Sequence, residues 1–124
     1  MLNVDLDETK GIAILEPDEQ LSEKDFQSAA RIIDPYIEKA GRLNGIIVHV
    51  KSFPGWKSFS GLITHLKFIK DHHKKISHIA FATDSPIGGF AEHVGSHFVN
   101  AEVKSFSFRD LEDAKVWILG DNNE

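Results

Sequence analysis

No cysteine occurs in this chain. A disulfide framework, thiol catalysis and a Cys-type zinc site are therefore excluded. Long apolar runs are missing too, since nothing approaches the roughly eighteen residues that a membrane-spanning helix requires. The opening stretch, MLNVDLDETK, is acidic and has no apolar h-region, so it does not read as a secretory signal and a cytoplasmic location is the default expectation. Basic residues are outnumbered, 14 Lys and Arg against 19 Asp and Glu, for a formal net charge of −5. That balance disfavours general nucleic-acid binding, which needs cations facing phosphates. With 124 residues, 41% apolar and 27% charged, the chain reads as one ordinary globular domain over 1–124.

The charge that is present is unevenly placed. Between Lys51 and Lys75 stand six lysines (51, 57, 67, 70, 74 and 75) and one acid, Asp71. This segment carries +5, which leaves −10 for the remainder. It contains Ser52–Leu62, SFPGWKSFSGL, where Phe53, Trp56 and Phe59 sit among Pro, Gly, Ser and Lys although a plain connecting loop would be polar.

Periodicity organises the rest. Leu2–Leu6 and Gly11–Glu16 read as an antiparallel hairpin around the polar turn DETKG. Ser22 is a candidate N-cap with Asp25 three residues on. Phe26, Ala29, Ala30, Ile33, Tyr36, Ile37 and Ala40 then recur at helical spacing, and Gly41 ends the helix as a C′ glycine. Pro35 inside the pattern predicts a kink or an unpaired carbonyl. GIIVHV (Gly45–Val50) is a buried-type strand. Phe59, Leu62, Ile63, Leu66, Ile69 and Ile76 mark a second helix ending near Ser77, and HIAFATD (His78–Asp84) a further strand. Pro86 opens a third helix, with Phe90, Val94, His97 and Phe98 on one side and Gly88, Gly89 and Gly95 weakening it by about 1 kcal/mol each. EVKSFSF (Glu102–Phe108) alternates as a half-buried strand. RDLEDAKVWIL closes as a fourth helix, with Leu111, Ala114 and Ile118 on one face and Trp117 at its margin. The expected fold is α/β: a single-layer, mainly parallel sheet with an antiparallel N-terminal hairpin, flanked by four helices.

Catalytic chemistry finds no constellation. His93 and His97 lie four apart and share a helix face, while His72 and His73 stand elsewhere. No glutamate follows His93, so the zincin motif is absent, and no third ligand is placed by spacing. Ser58-Phe59-Ser60-Gly61 lacks the first glycine of a nucleophile elbow. Pro86-Ile87-Gly88-Gly89-Phe90 matches neither the dinucleotide nor the Walker A pattern. No catalytic residue, metal or cofactor is expected.

The aromatic loop carries two readings. In one, Phe53, Trp56 and Phe59 cap the core and the lysines form a solvated face. In the other, the aromatics make an apolar rim while lysines attract anionic head groups, as an interfacial helix does. Phe68, opposite the apolar face of the second helix, suits the latter.

The element order and the run from GIIVHV through SFPGWKSFSGLITHLKFIKDHHKKISHIAFATD to AEVKSFSFRDLEDAKVWIL resemble the SpoIIAA-like family, which is related to STAS domains. The likeness covers nearly the whole chain and contains no catalytic motif. It implies a small α/β sandwich that also looks like the lipid-carrying part of CRAL-TRIO proteins, with helices opening over a cavity. The resemblance carries a second implication, from anti-sigma-factor antagonists: Ser60 falls where a serine in an Asp-Ser-Ser-Gly-Leu context is phosphorylated to switch partner binding. Here Ser58 stands in place of the aspartate and Phe59 in place of the first serine.

The leading expectation is a non-enzymatic, cytoplasmic protein that binds a lipid or other small hydrophobic ligand and touches anionic membranes reversibly. Its pocket would be walled by Phe53, Trp56, Phe59, Leu62, Ile63 and Leu66 against Ile87, Phe90, Val94 and Phe98. Lys57, Lys67, Phe68, Lys74 and Lys75 would meet the membrane. The alternative is a regulator switched at Ser60, and a homodimer packed through the aromatic loop is a further expectation.

Overall fold

The computed structural model describes residues 2–17, 23–51, 76–84 and 102–120. Strands β1 (Leu2–Asp7) and β2 (Ile12–Pro17) pair antiparallel, with Asp7 opposite Ile12. Their turn is held by Asp7, whose carboxylate accepts from the Lys10 amide at 3.0 Å and whose carbonyl accepts from the Gly11 amide at 2.8 Å. Gly11 adopts φ +69° there, a left-handed conformation that glycine enters without a Cβ penalty.

Helix α1 (Glu23–Ala40) follows, then β3 (Leu43–His49), β4 (Ile76–Ala82) and β5 (Glu102–Phe106). A 3-10 turn at Phe108–Asp110 leads into helix α2 (Leu111–Gly120). The five strands lie in the order β1-β2-β3-β4-β5, antiparallel at the first pair and parallel at the other three. β3 and β4 are buried along most of their length, which explains why they read as continuous β-branched runs rather than as alternating ones.

The expectation of four flanking helices is corrected: among the described residues there are two α-helices and one 3-10 turn. The stretches expected as second and third helices fall outside the described residues, apart from Ile76 and Ser77. These two are strand, not helix end: Ile76 is buried and pairs with Leu43. Its β-branched side chain fits a ladder as readily as a helix face, and the sheet claims it. The last strand also stops two residues short of Phe108, where the chain turns into the 3-10 segment.

Each face of the sheet takes one described helix. α1 lays Ala29, Ile33 and Ile37 on Ala13, Leu15, Ile46, Val48, Ile79 and Phe81. Burying a side chain such as Ile33, which is 0% exposed, stabilises the fold by about 1.5–3 kcal/mol. Pro35 does not end the helix. Both Pro35 and Arg31 are exposed, so the carbonyl left without a donor lies on the solvent side. Gly41 closes α1 at φ +88°, its amide donating to the Ile37 carbonyl at 2.8 Å. On the opposite face α2 places Ala114 and Ile118 against Ile12, Ile14, Ile47, Ala80 and Ala82. Small residues let it approach closely: a Cβ on Gly45 would come within 2.6 Å of Ile118 Cδ1.

Candidate functional site

Parallel pairing brings the carboxyl ends of β2, β3, β4 and β5 to one edge of the sheet, the side of an open α/β sheet where ligands and partners commonly bind. The chain leaves the sheet there at Lys51, after β3, and at Asp84, after β4. These two exits are joined: the Asp84 amide donates to the Lys51 carbonyl at 3.0 Å, and Thr83 Oγ1 donates to the same oxygen at 3.3 Å. Asp84 also accepts the Phe108 amide on Oδ1 at 3.0 Å, while the Thr83 amide donates to the Phe106 carbonyl at 2.9 Å.

His49, the last residue of β3, is the side chain at the centre of this edge. Its Nδ1 lies 3.1 Å from Glu16 Oε2 and its Nε2 3.0 Å from the Phe108 carbonyl oxygen. The ring stacks on that of Phe108 with centroids 4.3 Å apart and planes 9° from parallel. Both nitrogens lie within hydrogen-bond distance of protein oxygens, so the ring is engaged on its two sides by β2 and by the entrance to α2. His49 is a structural tie between β2, β3 and the entrance to α2. Among the described residues no group of three or more His, Cys, Asp or Glu could hold a metal ion.

The opposite edge holds a second polar cluster. Ser77 Oγ donates to the Asn44 carbonyl at 2.9 Å and lies 2.8 Å from His78 Nδ1. His78 is buried, its Nε2 3.3 Å from Glu102 Oε2 and its ring edge-on to Trp117 at 5.0 Å. Asn44 Nδ2 donates to the Lys10 carbonyl at 2.8 Å, fastening the hairpin turn to β3. Tyr36 of α1 reaches the same turn through its hydroxyl, which donates to the Glu8 carbonyl at 3.1 Å.

All the site residues expected from sequence lie outside the described residues: Phe53, Trp56, Phe59, Leu62, Ile63, Leu66, Ile87, Phe90, Val94 and Phe98 for the pocket, Lys57, Lys67, Phe68, Lys74 and Lys75 for the membrane, and Ser60 for phosphorylation. What the structure adds is their common root at Lys51 and Asp84. Sequence reasoning passed over Glu16, His49, Asp84 and Phe108. The one visible signal was a histidine inside a β-branched run, Val48-His49-Val50, where an apolar residue would pack without a partner.

The described residues define an α/β sheet with a helix on each face, tied at its carboxyl edge by His49 and Asp84. The SpoIIAA-like family model matches residues 12–119, and the chain belongs to that family, within the wider STAS group. No curated protein matches the chain, and no solved structure does. Members of the family are characteristically non-enzymatic, and so is this chain.

The family match also corrects three expectations. Nothing in the comparisons supports the likeness to CRAL-TRIO proteins. Binding of a lipid or small hydrophobic ligand is overturned, because the family points to a regulatory role of the anti-sigma-factor-antagonist type. Contact with a membrane surface is overturned likewise, since SpoIIAA-like domains typically partner with an anti-sigma factor. The physical source of the error is plain: lysines interleaved with aromatics suit an anionic membrane, but a phosphate group or an acidic protein surface satisfies the same pattern. Among the described residues no helix is long and apolar enough to cross a membrane.

Proposed function

We propose that this chain is a single-domain cytoplasmic regulator of the anti-sigma-factor-antagonist type, which binds a protein partner and is switched by phosphorylation of Ser60. The observation that carries the reading is the SpoIIAA-like match over residues 12–119, a span that includes Ser60. Charge supports it. A phosphate brings roughly −1.5 to −2 into a stretch that carries +5 between Lys51 and Lys75. Modification there neutralises part of a basic stretch that an acidic partner would recognise. Phe59, in place of a small serine, makes the recognition sequence bulkier than the family pattern and points to a modifying kinase that accepts an aromatic before its target.

The test is intact-mass and peptide-mapping spectrometry on the chain purified from its native cells, beside binding of Ser60→Ala and Ser60→Asp variants to the anti-sigma factors of the same genome. The expected result is one phosphate on Ser60, with an anti-sigma factor retained by Ser60→Ala and released by Ser60→Asp. An unmodified Ser60 together with identical binding by the two variants overturns the proposal.

A further inference from the structure

β5 is the edge strand of the described sheet, paired with β4 on one side only. The direction of its free backbone groups follows from one hydrogen bond. The Phe106 carbonyl accepts from the Thr83 amide at 2.9 Å, so Phe106 turns its main-chain groups toward β4. Because these groups alternate along a strand, Lys104 and Glu102 turn theirs the same way, and Val103 and Ser105 present N–H and C=O outward. An open groove of about 500 Å³ is lined by Glu102, Val103 and Lys104 of β5 together with Trp117 of α2.

We propose that the outer edge of β5 is a docking site for an extended segment of a protein partner, added as an antiparallel sixth strand. In this mode main-chain bonds supply affinity and alternate side chains supply specificity. Antiparallel pairing centred on Val103 joins its N–H and C=O to the partner's backbone. It sets Glu102 and Lys104 in the closely spaced, non-hydrogen-bonded positions, where cross-strand charges couple best. Read from its N-terminus, the partner segment carries an acid opposite Lys104, an apolar residue opposite Val103 and a base opposite Glu102. Lys104 is poised for this: its Nζ lies 5.3 Å from the Phe106 ring centroid and 6.0 Å from that of Trp117, held over the rings at the rim of the groove. A second copy of this chain also carries the acid-apolar-base order, but a formal charge of −5 on each copy opposes self-association and favours an unlike chain. The proposal takes from the regulatory reading only that the partner is a protein. It does not involve Ser60, so the fate of either proposal leaves the other standing.

The test is amide hydrogen exchange on the isotope-labelled full chain, alone and with two synthetic peptides of identical composition, Thr-Thr-Glu-Val-Lys-Thr-Thr and Thr-Thr-Lys-Val-Glu-Thr-Thr. In the free chain Val103 and Ser105 should exchange faster than Lys104 and Phe106. The first peptide, at about ten times its dissociation constant, should slow Val103 and Ser105 about tenfold, and the second should leave them unchanged at the same concentration. A chain carrying Glu102→Lys with Lys104→Glu should reverse the preference. Four results overturn the proposal. They are Val103 and Ser105 already protected in the free chain, no response to either peptide, equal response to both, and protection that grows with the concentration of the chain alone, which would make a second copy the occupant.

Discussion

The backbone amide of Asp84 donates to the carbonyl oxygen of Lys51 at 3.0 Å, and through that bond the two exits from the carboxyl edge of the sheet are tied together. The Asp84 side chain extends the tie by accepting the Phe108 amide at 3.0 Å, so the ends of β3 and β4 and the entrance to α2 form one hydrogen-bonded unit. Replacing Asp84 by alanine should cost about 0.5–1.5 kcal/mol, seen in urea as a lower midpoint at unchanged slope. Asp84→Asn, which keeps a carbonyl oxygen in place, should recover most of the loss. Equal destabilisation by both would mean that the Phe108 amide is not served by this side chain.

His49 should matter more than its single position suggests. His49→Ala removes the bond to Glu16, the bond to the Phe108 carbonyl and the stacked ring in one step, at an expected cost of about 1–3 kcal/mol. His49→Phe retains a ring to stack but serves neither acceptor, and should fall between alanine and the native chain in thermal melting. A phenylalanine variant as stable as the native chain would assign the whole effect to stacking.

Gly45 is needed because α2 sits on it. A methyl group there would approach Ile118 Cδ1, Cγ2 and Cγ1 at 2.6, 2.9 and 3.0 Å, so the whole side chain must move. Overpacking of this kind costs about 1–3 kcal/mol. Combining Gly45→Ala with Ile118→Val removes the closest atom, and the double variant should be less destabilised than the sum of the two single changes. Strict additivity in chemical denaturation would place the contact elsewhere.

Two glycines with positive φ allow conformation and crowding to be separated. Gly41 has φ +88° with nothing within 4 Å of a built Cβ, whereas at Gly11, with φ +69°, a Cβ would meet Asn44 Nδ2 at 3.0 Å and Tyr36 Oη at 3.2 Å. Alanine at either site should cost about 1–2 kcal/mol for the left-handed backbone. Gly11→Ala should cost more, since it also presses on the bonds from Asn44 and Tyr36 that hold the hairpin turn. Equal losses at the two sites would show that the turn yields freely.

How much of this was legible beforehand varies with the type of signal. α1 was plain, because Ala29, Ile33 and Ile37 repeat at one spacing and Gly41 stops it. The hairpin was equally plain, since a polar turn ending in Gly11 separates two apolar runs. Ile76 misled, because one apolar residue at the end of a helical series is equally good as the first residue of a strand. The polar ties could not be read at all. Glu16 and His49 are 33 positions apart in the chain and His49 and Phe108 are 59 apart, and no local pattern records such a meeting.

By itself the sequence determined the N-terminal hairpin, the first and last helices, the family, and the concentration of positive charge between Lys51 and Lys75. All of these rest on local composition, spacing or direct similarity. Tertiary structure alone decided that β5 lies at an edge with Val103 and Ser105 facing outward, that α2 rides on Gly45, and that the exits at Lys51 and Asp84 are bonded to each other. The physical reason is that these depend on which strands become neighbours and in what register, and that choice is made by packing across the whole sheet rather than by any residue's own preference.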